Sequence, residues 1–395
     1  MKIVQINTVC EKGSTGRIDV NISKILTENG IENYIFYGSG HSDYEFGYKF
    51  QGNLYLKFNV LLTRLFGKHG FYSHFATYKL LKKLDEINPD VIHLHNIHGH
   101  YVNVRMLFNY IKKHNKKVIW TLHDCWAFTG HCSHFDYIGC NKWKTGCHHC
   151  LQKNMYPVSW FFDRSKESYR DKKKLFCGVK NMTIVTPSEW LKGKVKESFL
   201  KEYPVIVINN GIDLEKFRYT ESDLKEKLGL SNKKIILGIC FKLHDRKGGD
   251  YLVELAKKLS DDERMVILGL ETDEKLPENI TVLAKTHSIE ELAKIYSMAD
   301  VFVNTSLEET FPTVNIEALA CGTPVVTFAS GGSGEIVDSR TGAIVFEKNV
   351  DILYNKITQI VFSEKKNDSY LRNRTEKLYS DVHQFKEYVK LYNEI

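Results

Sequence analysis

Two carboxylates, Glu309 and Glu317, stand eight residues apart in the stretch LEETFPTVNIEALACGTP, residues 307–324. The segment before them, DVFVNTS, reads as a buried strand. Pro312 followed by VNIEALA reads as the first turns of a helix that stops at Gly322 and Pro324. Glu309 is therefore expected at the carboxyl end of a strand and Glu317 on the following helix. In an open parallel sheet ligands bind at the carboxyl ends of strands, and the free N–H groups of a helix start favour anions such as diphosphates. Ionised carboxylates repel phosphate, so their natural partners are hydroxyls. A pair placed this way suits a ribose diol and a hexose hydroxyl on either side of a diphosphate, which is the shape of a nucleotide sugar.

The elements that must position such a site alternate. With 395 residues the chain exceeds what one hydrophobic core supports, and two domains are expected. KIVQINT, NYIFYG, DVIHLH, KVIWTLHD and TIVTPS read as strands of the first half. IILGIC, MVILG, ITVLA, DVFVNTS, PVVTFAS and AIVF read as strands of the second, with helical stretches between them. The expected fold class is α/β with two doubly wound, Rossmann-like domains: residues 1–205, residues 206–378, and a last helix over 379–395. Turn chemistry at Asn210-Gly211 places the hinge near PVIVINNGIDLEKF. KGSTGR, residues 12–17, follows the first strand and opens a helix, so its glycines permit close backbone approach to a phosphate or sugar. It lacks the G-x-G-x-x-G and Walker patterns, which argues against a dehydrogenase or a P-loop NTPase.

Histidines and cysteines gather in the first half. His93, His95, His98 and His100 lie along a strand and its loop with no evident carboxylate partner, so a metal reading is not favoured; His123 ends the strand KVIWTLHD. Cys132, Cys140, Cys147 and Cys150 form C-x7-C-x6-C-x2-C, and four thiolates suit a tetrahedral structural zinc, with metal-free thiols the alternative. No signal peptide is apparent and no apolar run approaches a bilayer span, so a cytoplasmic location is expected, with the nine cysteines reduced or metal-bound. Residues 46–84 hold no acidic residue but seven cations, Lys49, Lys57, Arg64, Lys68, Lys79, Lys82 and Lys83. Among them Leu54, Phe58, Leu61, Leu62 and Leu65 recur at helical spacing. This predicts an amphipathic helix on an anionic membrane surface, with burial of the same leucines under a basic face as the alternative. The net charge of +7 comes without the aromatic pattern of an RNA-binding module, and nucleic acid is not an expected partner.

The carboxylate pair resembles the signature of the retaining glycosyltransferases of family 4, and the resemblance runs along nearly the whole chain, nearest to the branch that builds bacterial exopolysaccharides of the colanic-acid type. It implies the GT-B arrangement of two domains facing across a cleft, with the last helix returning to the first domain. It implies that Glu309 orients the donor sugar, that Glu317 holds the ribose, and that Phe311 and Thr313 belong to the same donor site. It makes Gly16 a donor-side contact and His123 a group touching the transferred sugar. It puts Lys242 where the family usually has arginine, and Lys247 at its lysine. These cations would stabilise the departing diphosphate, although lysine at 242 lacks arginine's bidentate fork. No D-x-D occurs, so metal-independent chemistry is expected, with no cofactor required for catalysis. SGGSGEIV, residues 330–337, resembles a second phosphate or sugar loop. The expected activity is hexosyl transfer from a nucleoside-diphosphate sugar to a glycan, lipid-linked in many of the family, at the inner face of the plasma membrane. A nucleotide-sugar 2-epimerase and a non-catalytic glycan- or membrane-binding protein are the alternatives.

Overall fold

The computed structural model describes residues 1–286, 288–362 and 368–395. The chain divides into two compact units, residues 1–209 with 385–395, and residues 210–384. The described residues form thirteen strands: β1 (Lys2–Asn7), β2 (Glu32–Tyr37), β3 (Gly47–Lys49), β4 (Val91–Leu94), β5 (Lys117–Thr121), β6 (Met182–Thr186), β7 (Val205–Val207), β8 (Lys234–Ile239), β9 (Glu263–Leu268), β10 (Ile280–Leu283), β11 (Val301–Asn304), β12 (Val325–Phe328) and β13 (Gly342–Val345).

The first unit holds a seven-stranded sheet in the order β3-β2-β1-β4-β5-β6-β7, parallel throughout. Its central strands are apolar without alternation because helices cover both faces. One face is covered by helix Gly13–Glu28 and by the end of helix Asp381–Glu394, where Ile18, Ile22, Phe385, Tyr388, Leu391 and Tyr392 are buried together. Each such side chain contributes about 1.5–3 kcal/mol when fully buried, enough to fix a terminal helix that is otherwise polar.

The second unit holds a six-stranded parallel sheet, β10-β9-β8-β11-β12-β13, again with apolar clusters on both faces. In each sheet the strand order reverses once, between β1 and β4 and between β8 and β11. The chain leaves the two strands flanking such a point in opposite directions, which opens a crevice at their carboxyl ends.

Two boundaries move. The division expected after residue 205 falls inside β7, whose residues pair with β6, so the first unit runs to Asn209. The return expected at residue 379 comes after Gln384. Residues 381–384 stay with the second unit, where Asp381 N–H donates to the Ile212 carbonyl and Gln384 Nε2 to the Leu378 carbonyl.

Candidate functional site

In the second unit the loops after β8 and β11 meet at the switch point. Two bonds lace them: Leu307 N–H donates to the Arg246 carbonyl at 2.8 Å and Thr305 Oγ1 to the Gly248 carbonyl at 2.8 Å, while Ser306 N–H donates to Asn304 Oδ1 at 3.0 Å within the loop after β11. Gly248 is required there. It sits at φ +70°, and a Cβ on it would lie 2.1 Å from the Thr305 carbonyl oxygen. The loop after β12 closes in the same way, because a Cβ on Gly331, at φ +57°, would fall 1.5 Å from the Glu309 carbonyl oxygen.

These contacts bring Lys247 and Glu309, 62 residues apart, into an ion pair. Glu309 is 13% exposed and Lys247 35%. Burial acts to raise the Glu309 carboxyl, but the Lys247 ammonium, the Ser306 hydroxyl and the Arg246 charge outweigh it, so the group lies below the usual carboxylate range. No sequence motif marks Arg246 for this role. Its position beside Lys247, immediately before a glycine and a helix start, is the signal that points to it. Lys242 is exposed at the start of the same loop and no ion pair holds it among the described residues.

Glu317 faces elsewhere. It lies on helix Thr313–Ala320, 5% exposed, and accepts from the Tyr296 hydroxyl at 3.0 Å. Thr313 opens that helix and is half-buried, whereas Phe311 is a core residue, edge-on to Tyr379 at 5.9 Å. In the loop after β12, the buried hydroxyls of Ser330 and Ser333 have no hydrogen-bond partner among the described residues.

The first unit's switch point gathers imidazoles around the Asp124 carboxylate. Gly16 lets the loop after β1 fold over the helix start: its carbonyl accepts from Glu11 N–H at 2.8 Å, and a Cβ on it would meet Glu11 N at 3.0 Å. The close approach seen there is thus between two parts of the backbone. His123, after β5, bonds through Nε2 to His95 Nδ1 at 3.1 Å with the rings stacked at 5.4 Å. Burial pushes its pKa down to about 4, against the pull of Asp124. A carboxylate partner for the histidine run does exist: Asp124 Oδ2 lies 2.8 Å from His98 Nε2, a contact hidden in the sequence by the intervening chain. Burial works against the Asp124 carboxylate, yet His98, His134 and the Trp126 N–H hold its pKa down at about 2.

All nine cysteines are free thiols. Cys132, Cys140, Cys147 and Cys150 border one cavity of about 20 Å³, with His131, His148 and His149. Gly130 N–H donates to Cys147 Sγ at 3.1 Å, and buried Lys172 donates to the carbonyls of Trp126 and Thr129 beside them. As the side chains stand, no three of the described His, Cys, Asp or Glu residues are disposed to hold a metal ion.

The acid-free run forms helix Asn53–Phe66, and it is inverted relative to a core helix. Its buried residues are Asn59 and Thr63, while Leu54 is 85% exposed, Phe58 53% and Leu61 43%. Leu62 and Leu65 are half-buried. Packing of the leucines on the core is therefore not what the fold does. Exposed Phe66, Phe75 and Tyr78 lie on this and the following helix, and exposed Trp160, Phe161 and Phe162 extend the patch, with Trp160 N–H donating to the Arg64 carbonyl at 2.7 Å. No described helix is long and apolar enough to cross a membrane.

Residues 20–216 match the family model described as glycosyltransferase family 4, and residues 220–377 the one described as glycosyl transferases group 1. The chain is 26% identical to the putative colanic acid biosynthesis glycosyl transferase WcaC of Escherichia coli, over the full length of both. It is 28% identical to the capsular polysaccharide biosynthesis glycosyltransferase CapM of Staphylococcus aureus, over 55% of this chain and 62% of that one. A UDP-Gal:alpha-D-GlcNAc-diphosphoundecaprenol alpha-1,3-galactosyltransferase of Escherichia coli is 29% identical over 42% and 47%. Among solved structures, Anabaena HepE in complex with UDP superposes with a TM-score of 0.72 at 14% identity, covering all of both chains.

Proposed function

We propose a specific reaction for this chain, which belongs to the family 4 glycosyltransferases and has their GT-B fold: retaining transfer of a hexosyl group from a nucleoside-diphosphate sugar to a hydroxyl of a growing surface glycan. The observation that carries this is the Lys247–Glu309 pair, held at a sheet switch point by three interlocked loops. A nucleotide-sugar donor is further supported by HepE, solved with UDP and with UDP-glucose, and a lipid-linked acceptor by the diphosphoundecaprenol-linked substrate in the name of the galactosyltransferase relative.

As the bond between the anomeric carbon and the diphosphate oxygen breaks, negative charge grows on that oxygen. Lys247, Arg246 and Lys242 are the cations of this loop, and preorganised cations stabilise such charge without reorganising at the moment of reaction. Lys247 is then shared between the leaving group and Glu309, which stays ionised to accept from a donor-sugar hydroxyl. Glu317 takes the ribose, within reach of the Tyr296 hydroxyl. Attack on the same face lets the leaving phosphate oxygen take the acceptor's proton, so no side-chain nucleophile is required. His123 meets a sugar hydroxyl. The serine hydroxyls of the loop after β12 stand ready for a phosphate or sugar oxygen.

The outward leucine and aromatic face flanked by Lys57 and Arg64 supports contact with an anionic leaflet, as a peripheral protein at the inner face of the plasma membrane. The shared cavity of the four thiols, with a backbone N–H on Cys147, supports a structural zinc after inward rotation of the side chains. The reaction is tested by incubating the protein with a panel of nucleotide sugars and following nucleoside diphosphate release. Slow release from one donor, accelerated by a lipid-linked glycan and yielding the donor's anomeric configuration, is expected. Inversion of configuration would overturn the mechanism, and silence across the panel would overturn the donor class.

A further inference from the structure

A row of buried amides runs behind the Lys247–Glu309 pair. Asn304 closes β11, and its Oδ1 accepts from Ser306 N–H at 3.0 Å, the two-residue turn by which an asparagine redirects a chain. With its oxygen so engaged, the Asn304 amide presents Nδ2 on its other side, where it donates to Asn315 Oδ1 at 2.8 Å. Asn315 stands in helix Thr313–Ala320, on the turn that carries Glu317. Ser306, at the near end of the row, meets the Glu309 carboxylate through its hydroxyl, and with Lys247 and Arg246 it outweighs the burial of that group. The row thus spans the loop of Glu309, tied to the strand before it and to the helix after it.

Stability alone does not call for an amide at position 315. Asn315 is 0% exposed, asparagine is a poor helix former, and its own Nδ2 has no hydrogen-bond partner among the described residues. A leucine of similar volume would satisfy both burial and the helix better. What the amide supplies is an acceptor for Asn304.

We propose that Asn304 and Asn315 are positioning residues whose amide bridge holds the Glu309 loop in register with the helix of Glu317, so that the two donor contacts keep a fixed spacing. The proposal rests on the reading that Glu309 and Glu317 contact the donor. Neither asparagine touches substrate; both act through Ser306 and the loop it begins.

The test begins with Asn315→Leu in the full-length protein. Its Tm should change little, because the better helix former offsets the amide left facing it. Its kcat should fall roughly ten- to a hundredfold, the scale on which a small misplacement of a catalytic group acts. The Glu309 carboxyl, followed by NMR in protein labelled with ¹³C-glutamate and assigned by its loss in Glu309→Gln, should titrate at higher pH than in the wild type as Ser306 moves away. In an Asn304→Leu background, Asn315→Leu should lower kcat no further, since the bridge is already gone. That double variant leaves neither amide facing an apolar neighbour, and it serves if Asn315→Leu alone does not fold. Wild-type turnover and Glu309 titration in a folded variant, or losses that multiply between the two positions, overturn the proposal. A raised Glu309 titration with unchanged turnover would keep the bridge and overturn the reading of Glu309 as a donor contact.

Discussion

The two switch points use the same strand geometry but surround their carboxylates differently, with lysine and arginine in one and with buried imidazoles in the other. At β8 and β11 the loops hold an ion pair, in which chiefly Lys247, with the Ser306 hydroxyl and Arg246, holds the Glu309 carboxyl below the usual carboxylate range. At β1 and β4, extended to β5, the polar groups are imidazoles, an amide, hydroxyls and the Asp124 carboxylate, and burial pushes the pKa values of His93, His95 and His123 down. In the proposed reaction the cations stand where the diphosphate departs, and the imidazoles where a sugar hydroxyl is met. The contrast is also one of stability, because a buried neutral histidine is a liability in acid.

The largest effect that would break the comparison is therefore acid unfolding of one unit before the other. Burial pushes His100, His123 and His131 down to about 4 from 6.5, and His69, His93 and His95 well below 6.5. A group depressed in the fold contributes stability that is complete above its unfolded value of 6.5 and is lost as pH falls toward 4; each tenfold weakening of proton affinity on folding corresponds to ~1.4 kcal/mol. In the second unit His244 is displaced the opposite way, by its bond to Glu274 and by Asp250. All five tryptophans, Trp120, Trp126, Trp143, Trp160 and Trp190, lie in the first unit. Their emission should red-shift across this window while amides of β8 and β11 remain protected from exchange. Loss of both signals together would show that the two sites share one stability.

Next in size, Lys247→Ala should cost about 2–4 kcal/mol of transition-state stabilisation, seen in kcat more than in donor affinity. Removing the cation also raises the Glu309 carboxyl, so the acid limb of the pH profile should move to higher pH. An unchanged turnover number would mean that the diphosphate lies elsewhere. Gly331→Ala should lower kcat on the order of 10²-fold, since its methyl group would drive into the Glu309 backbone. Gly334→Ala, whose Cβ would meet Ile344 at an ordinary 3.5 Å, should be nearly silent. Equal effects of the two would remove the case for three interlocked loops.

Smaller effects are confined to the first unit. A chelator should leave initial activity intact and lower Tm if the four thiols hold zinc; abolished turnover in a folded protein would end the metal-independent reading. Lys57→Glu with Arg64→Glu should weaken sedimentation with anionic vesicles, each cation being worth about 1 kcal/mol and screened beyond ~8 Å at physiological salt. Lys68 is a poorer probe, because it is already paired with Asp171 at 2.9 Å. Leu61→Asp should weaken binding without unfolding, as Leu61 faces outward; vesicle binding indifferent to all of these changes would reduce the patch to a solvated surface.

Local pattern carries most of the architecture. Apolar runs such as KVIWT and DVFVN are readable because a strand covered on both faces must be apolar along its length. Only β3 and β7 escape, three residues each at a sheet edge, too short to show a period. The site's loops are also legible, since glycines and cations directly after a strand have a restricted set of uses. The pairings are not. Nothing near Asp124 in sequence points to His98, and nothing near Glu309 to Lys247 or Gly331; the leucine spacing of helix Asn53–Phe66 left outward and core-packed leucines both open, and only the fold shows that it buries Asn59 and Thr63 and turns Leu54, Phe58 and Leu61 out. Which strands form, that they make two parallel sheets, and which residue types stand at their carboxyl ends all follow from local sequence, because backbone preference and hydrophobic period act over a few residues. Which of those residues meet, and so which histidine is neutral and which carboxylate is charged, is set by the folded chain, because protonation depends on burial and on partners brought together from tens of residues away.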